Sequence, residues 1–241
     1  MDLRVTPSVA TRLLEWKQGP DSNMANATQK ALVETLLHRY GKTFAKELGV
    51  RVENNTPSAL FQLLTMALLL SARIAASNAM EAAIALRKAG LTTPQKMAGA
   101  SWQERVDVIT WHGYKRYDER TSTMLGETAQ ILLEVYSGDL RKLREEAKHD
   151  VVQEKRLLKQ FKGIGDVGAD IFLREVQVSW DEVYPYADQK VLSSAGKLGL
   201  PDSPQALAGL VAKKDFPNFA AALIRVDLDR AHEKLRREAG G

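Results

Sequence analysis

The chain has 241 residues, of which 44% are hydrophobic and 27% are charged, so it is typical of a globular protein that can bury a core and not of a disordered one. It contains no cysteine, which excludes disulfides, zinc–thiolate sites and iron–sulfur clusters held by cysteine. Its net charge of +4 favours polyanionic partners only weakly, because many proteins with no nucleic-acid role are equally basic.

Targeting and membrane signals are not visible in the sequence. The N-terminal segment lacks the basic stretch, apolar core and cleavage site of a secretory signal. The most apolar run, LFQLLTMALLLSARIA at 60–75, is too short and too closely flanked by polar residues to span a bilayer, and it predicts a buried core helix. We therefore expect a cytoplasmic protein without membrane association, located at the nucleoid if the source is a bacterium.

Helix start signals recur along the chain. Thr56, Thr93 and Ser203 each precede a proline, which combines an N-cap residue with proline at the first helical position. Ser101 and Glu104 form a capping box. Between such signals apolar residues recur every three or four positions, and no stretch alternates convincingly with period two, so the sequence predicts an all-α fold. The predicted helices cover roughly 24–48, 57–72, 77–89, 93–99, 101–110, 117–136, 139–147, 150–161, 166–176, 188–198, 203–212 and 216–237.

A pair of glycines interrupts this pattern in the segment FKGIGDVGAD. Gly163 and Gly165 can adopt backbone angles closed to other residues, and Ile164 between them can turn inward and pin two helices together. A helix beginning near Asp166 would present free N–H groups, which bind phosphate together with the helix dipole. The same pattern also fits a plain packing corner with Asp166 as its cap, and the pattern alone does not separate the two.

The segment LLKQFKGIGDVGADIFL resembles the helix–hairpin–helix of the endonuclease III superfamily of DNA glycosylases. The family hairpin reads leucine-proline-glycine-valine-glycine and is followed by an alanine. Residues 163–165 and Ala169 match this pattern, while Phe161 and Lys162 stand in place of the leucine and the proline.

Two further segments strengthen the resemblance. The family has an aspartate some twenty residues after the hairpin, where the next helix opens, and Asp188 in YPYADQKVLSSAGKLGL stands at that position. LLTMALLLSARIA is similar to the first helix of the family's barrel, and Arg73 near its end corresponds to a residue with which family members enter the duplex. The three elements occur in family order across residues 57–200.

The resemblance implies a fold, a partner and an oligomeric state. We expect a six-helix barrel at 58–184, which includes the helix–hairpin–helix at about 150–176. We expect the second helical domain to be assembled from 1–57 and 185–241, with a cleft for double-stranded DNA between the two domains. The family also implies a monomer.

This chain departs from the family at one lysine. Bifunctional members carry it two residues after the second hairpin glycine, where it forms a Schiff base with the sugar during strand cleavage. Val167 occupies that position here, and valine cannot act as a nucleophile, so the resemblance implies a monofunctional enzyme without a β-lyase step. Lys190, close to Asp188 in the sequence, is the remaining candidate amine.

The four-cysteine cluster of endonuclease III is absent as well. The alkylpurine glycosylases also lack it, and they resemble this chain in having phenylalanine at the position of Phe161 and no catalytic lysine. The resemblance therefore implies no iron–sulfur cluster and no required cofactor. It makes alkylated purines the first expected substrates, with other lesions and mismatched bases left open.

Asp188 has two interpretations. Breaking an N-glycosidic bond builds positive charge on the deoxyribose, which a fixed carboxylate stabilises, and the same carboxylate can orient or deprotonate the attacking water. Alternatively, Asp188 is only the N-cap of the helix predicted at 188–198. The two roles are compatible, because capping would fix the position of the carboxylate.

The remaining site residues follow from the resemblance and from residue type. Flipped bases are held by stacking and hydrogen bonds, so five aromatic side chains are candidates for a base pocket: Trp111, Tyr114, Tyr117, Tyr184 and Tyr186. Each could equally belong to the core. The expected contacts with DNA are Arg73, Lys162 and the hairpin residues Gly163, Ile164, Gly165, Asp166, Val167 and Gly168.

Two basic residues near the hairpin, Lys159 and Arg174, are further candidates for phosphate contacts. The family hairpin often holds a monovalent cation, K⁺ or Na⁺, on backbone carbonyls, here those of Gln160, Phe161 and Gly163. Two other functions remain open. One is a non-catalytic helix–hairpin–helix protein that recognises DNA structure or lesions, and the other is a helical interaction protein with no nucleic-acid role.

Overall fold

A computed structural model describes residues 20–110 and 118–240, and all regular structure in these two ranges is helical. The predicted all-α fold is confirmed for this part of the chain. The α-helices are α1 (Pro20–Tyr40), α2 (Phe44–Leu48), α3 (Pro57–Leu70), α4 (Ala76–Lys88), α5 (Pro94–Gly99), α6 (Trp102–Thr110), α7 (Asp118–Tyr136), α8 (Leu140–Glu146), α9 (Val151–Leu158), α10 (Asp166–Val176), α11 (Gln189–Lys197), α12 (Pro204–Ala208), α13 (Phe216–Leu228) and α14 (His232–Gly240). Short 3₁₀ turns cover Val52–Asn54, Asp181–Val183 and Lys213–Asp215.

The predicted helix starts are confirmed by their capping bonds. The side chains of Thr56, Thr93 and Ser203 each accept a hydrogen bond from a backbone N–H in the first turn that follows. In the capping box, Ser101 Oγ accepts from the Glu104 N–H at 3.1 Å, and Glu104 Oε2 accepts from the Ser101 N–H at 2.7 Å. These signals are local, so the sequence alone is enough to place them.

Two predicted helices are each divided in the structure. The helix predicted at 24–48 breaks after Tyr40, and Thr43 caps the new helix α2 by accepting from the Lys46 N–H at 3.2 Å. A Cβ atom at Gly41 would lie 2.2 Å from the Leu37 carbonyl oxygen, so this tight exit requires glycine.

The helix predicted at 216–237 is divided in the same way. It breaks between α13 and α14, where Arg230 has a left-handed φ of 54°. The apolar period continues across this break as it does across the break near Gly41, which is why periodicity alone misses both.

Helix α3 is the centre of the core. Every residue from Ala59 to Leu69 is buried, as expected for a helix that is apolar all round, and the predicted core helix is confirmed. It packs against α4, α8 and α10. No helix among the described residues is long and apolar enough to cross a membrane.

The two ends of the described chain lie side by side. Helix α1 packs against α13 and α14, and α13 in turn packs against α10 and α11. The start of α11 therefore lies where the N- and C-terminal helices meet the helix that follows the glycine turn. The division into domains at 58–184 and at 1–57 with 185–241 stays a prediction.

Candidate active site

The glycine turn joins α9 to α10 in a tight hairpin. Phe161 and Ile164 are buried, and the Ile164 N–H donates to the Phe161 carbonyl at 3.0 Å. Gly163 has a φ of 86°, which favours glycine, and a Cβ atom there would lie 2.7 Å from Met124 Sδ, so the flexible Met124 side chain would have to move. The predicted inward turn of Ile164 is confirmed.

The outer side of the hairpin carries exposed backbone. Gly163, Gly165 and Val167 are exposed, whereas Gly168 is buried. The first backbone bond of α10 runs from the Ala169 N–H to the Gly165 carbonyl at 3.0 Å, so the N–H groups of 166–168 come before the first helical donor and have no acceptor within the helix. The hairpin therefore has the exposed backbone donors that the sequence predicted.

Asp166 does not cap this helix. Gly165 is the N-cap and makes no side-chain capping bond, while the Asp166 carboxylate lies 2.7 Å from Lys159 Nζ. Side-chain hydrogen bonding from Lys159 and its charge lower the pKa of Asp166. Lys162 is exposed, and its carbonyl accepts from Thr128 Oγ1 at 3.1 Å, which anchors the hairpin on α7.

Arg73 lies beside the hairpin. It is exposed, and together with Arg120 and Gly163 it lines a cavity of about 460 Å³. The structure thus brings Arg73, predicted from a different segment, to the exposed side of the glycine turn.

Asp188 is the N-cap of α11 and is almost fully buried. Its Oδ1 accepts from the N–H groups of Lys190 at 2.8 Å and Val191 at 3.2 Å. Its Oδ2 accepts from Nη1 of Arg174. The predicted capping role is confirmed, and the three donors hold the carboxylate in one orientation.

The predicted phosphate contact at Arg174 is wrong. Its side chain is only 4% exposed and forms a buried ion pair with Asp188. Val167, Ile171 and Arg174 recur at helical spacing, and all three face one cavity instead of the outer surface. A basic residue near a glycine turn can face outwards or inwards, and here the packing of α10 turns Arg174 inwards.

That cavity is the candidate active site. It has a volume of about 280 Å³ and lies where α10 meets the ends of α2, α3, α4, α11 and α13. Polar groups are few and are grouped on α10 and α11. The lining residues are Phe44, Leu70, Ala76, Val167, Asp170, Ile171, Arg174, Asp188, Gln189, Lys190, Ile224 and Leu228. Asp188, Val167 and the candidate amine Lys190 therefore line the same cavity.

Asp170 is a second carboxylate of this cavity. Its Oδ1 accepts from the Tyr186 hydroxyl and from Lys155 Nζ. Burial and the hydrogen bond to Asp170 raise the pKa of Tyr186 far above its usual value, so this hydroxyl stays protonated and acts as a donor. Tyr186 therefore positions a cavity carboxylate.

Neither Tyr186 nor Tyr184, both candidates for the base pocket, lines the cavity. The ring of Tyr184 packs edge-on against Phe216 at 5.5 Å between centroids. The remaining three candidates lie outside the described residues: Trp111, Tyr114 and Tyr117.

One cavity wall is held by a buried glutamate. Glu175 on α10 accepts from the N–H groups of Phe44 at 3.2 Å and Ala45 at 2.9 Å. Burial raises the pKa of Glu175. The carboxylate satisfies two donors at the start of α2 and so fixes Phe44, which lines the cavity.

Sequence reasoning missed Phe44, Asp170 and the inward orientation of Arg174. The helical spacing of 167, 170, 171 and 174 is a signal that could have placed the last two on one face of α10. Phe44 had no local signal, because it reaches the cavity through the contact of α2 with Glu175.

The predicted cation stays a prediction. The Phe161 carbonyl accepts the Ile164 N–H, and the Gly163 carbonyl lies 3.5 Å from Ser71 Oγ, so an ion on these oxygens would share them with existing donors. Across residues 20–110 and 118–240, no group of three or more His, Asp or Glu side chains is arranged to hold a metal ion.

The chain was compared with protein-family models, curated protein sequences and solved structures. No protein-family model and no curated protein sequence matches the chain. Among solved structures, the chain resembles a trapped covalent intermediate of endonuclease III with DNA, in an estranged-adenine complex. The identity is 18% and the TM-score 0.44, over 68% of this chain and 71% of that one.

Proposed function

We propose that the protein is a monofunctional DNA glycosylase that removes a flipped damaged or mismatched base from double-stranded DNA and leaves an abasic site. The observation that carries this proposal is the cavity between α10 and α11. It brings the buried Asp188 carboxylate next to the helix that follows the glycine hairpin. The exposed Val167 also lines it, so the cavity reaches the protein surface.

The hairpin supplies the contacts with the DNA backbone. The N–H groups of the exposed residues Asp166 and Val167 and the positive end of the α10 dipole suit a backbone phosphate, and Gly165 leaves room for its approach. Arg73 and Arg120, on the exposed side of the hairpin, add positive charge along the same path. A phosphate held at the start of α10 would place the neighbouring nucleotide near the cavity mouth.

Asp188 supplies the chemistry. As the N-glycosidic bond lengthens, the deoxyribose acquires oxocarbenium character, and an oriented carboxylate stabilises that charge without reorganising. The bonds from Arg174, Lys190 and Val191 provide this orientation. The base leaves with the electron pair of the N-glycosidic bond, water adds to C1′ of the sugar, the proton that this water loses passes to the departing base, and no bond to the protein forms.

The absence of a lyase step is part of the proposal. Val167 lines the cavity at the position of the family lysine, so no amine extends from that point of α10. Lys190 is the amine that remains in the lining. Borohydride trapping with lesion-bearing DNA tests this directly, because only a Schiff base gives a covalent product.

The decisive experiment is a base-release screen. Duplexes with alkylated, oxidised, deaminated and mismatched bases are incubated with wild type and with Asp188→Asn, and alkali reveals abasic sites. We expect base release from at least one duplex and a decrease of about 100-fold or more in the variant. Equal activity of the two proteins would remove Asp188 from the mechanism.

A second candidate is a non-catalytic protein that recognises lesions. The observation in its favour is the ion pair with Arg174, which compensates the charge of Asp188 and so weakens its effect on a cationic sugar. This function predicts tight, salt-dependent binding to duplex DNA with no abasic product from any member of the screen.

A further inference from the structure

The guanidinium of Arg174 is buried with most of its donors unused. Arginine has five N–H donors in a planar fork. Within the described residues, Asp188 is the acceptor that this guanidinium contacts, and Arg174 Nε is buried with no hydrogen-bond partner. A buried donor without an acceptor is costly. Because Nε is enclosed by protein, the donors left for a ligand are those of the two Nη atoms.

An acceptor for the remaining Nη donors would lie in the cavity. Arg174 lines it, and most of the surrounding wall is apolar, including Leu70, Ile171 and Ile224. The volume of about 280 Å³ lies just below the range of about 300–1,000 Å³ that is typical of drug-sized ligands, so it suits a group as small as one nucleobase. A base that displaces water from Arg174 must replace the acceptor that water provides.

The charge of the lining argues against a cationic ligand. Both cavity carboxylates are already paired, Asp188 with Arg174 and Asp170 with Lys155. Lys190 adds a further positive charge, which no side chain in the described part of the chain neutralises. The lining therefore has no unpaired anion for a positively charged base.

We propose that Arg174 determines specificity, and that the cavity takes a neutral base whose edge carries carbonyl oxygens, such as a deaminated or oxidised base. The N–H groups of its Nη atoms donate to that edge, as arginine does to paired acceptors of a base. Cationic N-alkylated purines, the class expected from the family resemblance, are disfavoured. This inference rests on the proposed function and specifies its substrate.

The first test compares base release by the wild type. The substrates are duplexes with uracil, hypoxanthine and 8-oxoguanine on one side and 7-methylguanine and 3-methyladenine on the other. We expect release of a carbonyl-bearing neutral base at least about 10-fold faster than of either cationic base. Preference for the cationic bases would overturn the inference and leave the proposed function intact.

The second test uses binding and does not depend on catalysis. Asp188→Asn is compared with the double variant Asp188→Asn/Arg174→Met, which removes both members of the buried pair and so leaves no uncompensated charge. We expect the selectivity of the first protein for carbonyl-bearing lesions over undamaged duplex to fall about 10- to 100-fold in the second, with non-specific affinity unchanged.

The outcomes are distinguishable. If the wild type releases no base, the proposed function fails, while selective binding that depends on Arg174 still supports the inference. If Asp188→Asn binds the lesion classes without selectivity, or if Arg174→Met in that background leaves selectivity unchanged, the inference is overturned. Thermal unfolding of each variant establishes that it is folded, and Asp188→Asn/Arg174→Lys replaces the Met variant if it is not.

Discussion

Val167 on α10 and Asp188 at the start of α11 line one cavity. The side chain of Val167 is exposed, so a longer side chain at this position has room to extend towards a sugar held near Asp188. Because both residues line the same cavity, a lysine placed at position 167 should gain the lyase chemistry that the proposed monofunctional enzyme lacks.

Val167→Lys is expected to create an amine that forms a Schiff base with an abasic sugar. Duplex DNA with a preformed abasic site is incubated with borohydride, and the covalent complex is counted on a denaturing gel. We expect roughly 10-fold or more trapping over wild type, because the new amine enters a cavity that already holds the carboxylate. A preformed abasic site makes the result independent of the base lesion.

Val167→Met is the matched control, since it adds length without an amine. Strong trapping by the wild type that disappears in Lys190→Met would contradict the assignment and give the lyase role to Lys190. Trapping that is equally weak in all four proteins would mean that the sugar does not reach this cavity.

The two hairpin glycines should separate stability from DNA binding. Gly163→Ala places a Cβ atom against Met124 Sδ at a φ of 86°, so we expect the free energy of unfolding to fall by about 1–3 kcal/mol. Gly165 has a φ of −96° and open space where a methyl group would stand, so Gly165→Ala should change stability by less than about 0.5 kcal/mol.

Gly165→Ala should nevertheless weaken duplex binding by about 10-fold, near the contribution of one charge-assisted hydrogen bond, because the methyl group occupies the space proposed for the phosphate. Urea unfolding and fluorescence anisotropy measure the two effects. Unchanged affinity in a fully folded Gly165→Ala protein would show that phosphate does not approach the hairpin at this point.

Glu175→Ala should destabilise the wall of the cavity. The change leaves the N–H groups of Phe44 and Ala45 without their acceptor, so we expect a loss of about 2–3 kcal/mol in the free energy of unfolding by urea. Glu53→Ala is the control, because Glu53 is exposed. A Glu175→Ala protein as stable as the control would show that α2 does not depend on this cap.

The parts of the structure that sequence predicted correctly are those with local signals. Thr56, Thr93 and Ser203 mark helix starts through bonds to residues only three positions away, and Gly163 marks a backbone conformation. Asp188 as a cap belongs to the same class. Such features depend on neighbours in the chain, so they can be predicted without knowledge of the tertiary fold.

The parts that were missed depend on packing between distant segments. Arg174 and its partner Asp188 are 14 positions apart, and only the packing of α10 against α11 decides that the guanidinium faces inward. Tyr184 and Tyr186 are nearly adjacent, yet one packs on Phe216 and the other binds Asp170. Residue type alone does not separate a pocket aromatic from a core aromatic.

The last prediction concerns the buried carboxyl of Glu154 on α9. Its side chain is fully buried, and both of its oxygens lack a hydrogen-bond donor among the described residues. Burial, and then the negative charge of the neighbouring Glu182, raise the pKa of Glu154 to about 8. Burial of Glu182 acts against its ionisation, but the two hydrogen bonds from Arg144 hold the pKa of Glu182 at about 2. The pair therefore keeps one proton, on Glu154.

This proton makes stability depend on pH. Between the ordinary glutamate pKa of 4.5 and about 8, the folded state holds a proton on Glu154 that the unfolded state has lost. The free energy of unfolding should therefore fall as pH rises from about 5 to 8, by at most about 1.4 kcal/mol per pH unit, and level off above 8. Glu154→Gln keeps the neutral form at every pH, so it should flatten the profile and be more stable than wild type at pH 8.5.

Urea unfolding from pH 5 to 9 measures the free energy of unfolding of both proteins. The difference between the two profiles isolates Glu154, and parallel profiles would show that Glu154 is ionised in the folded state.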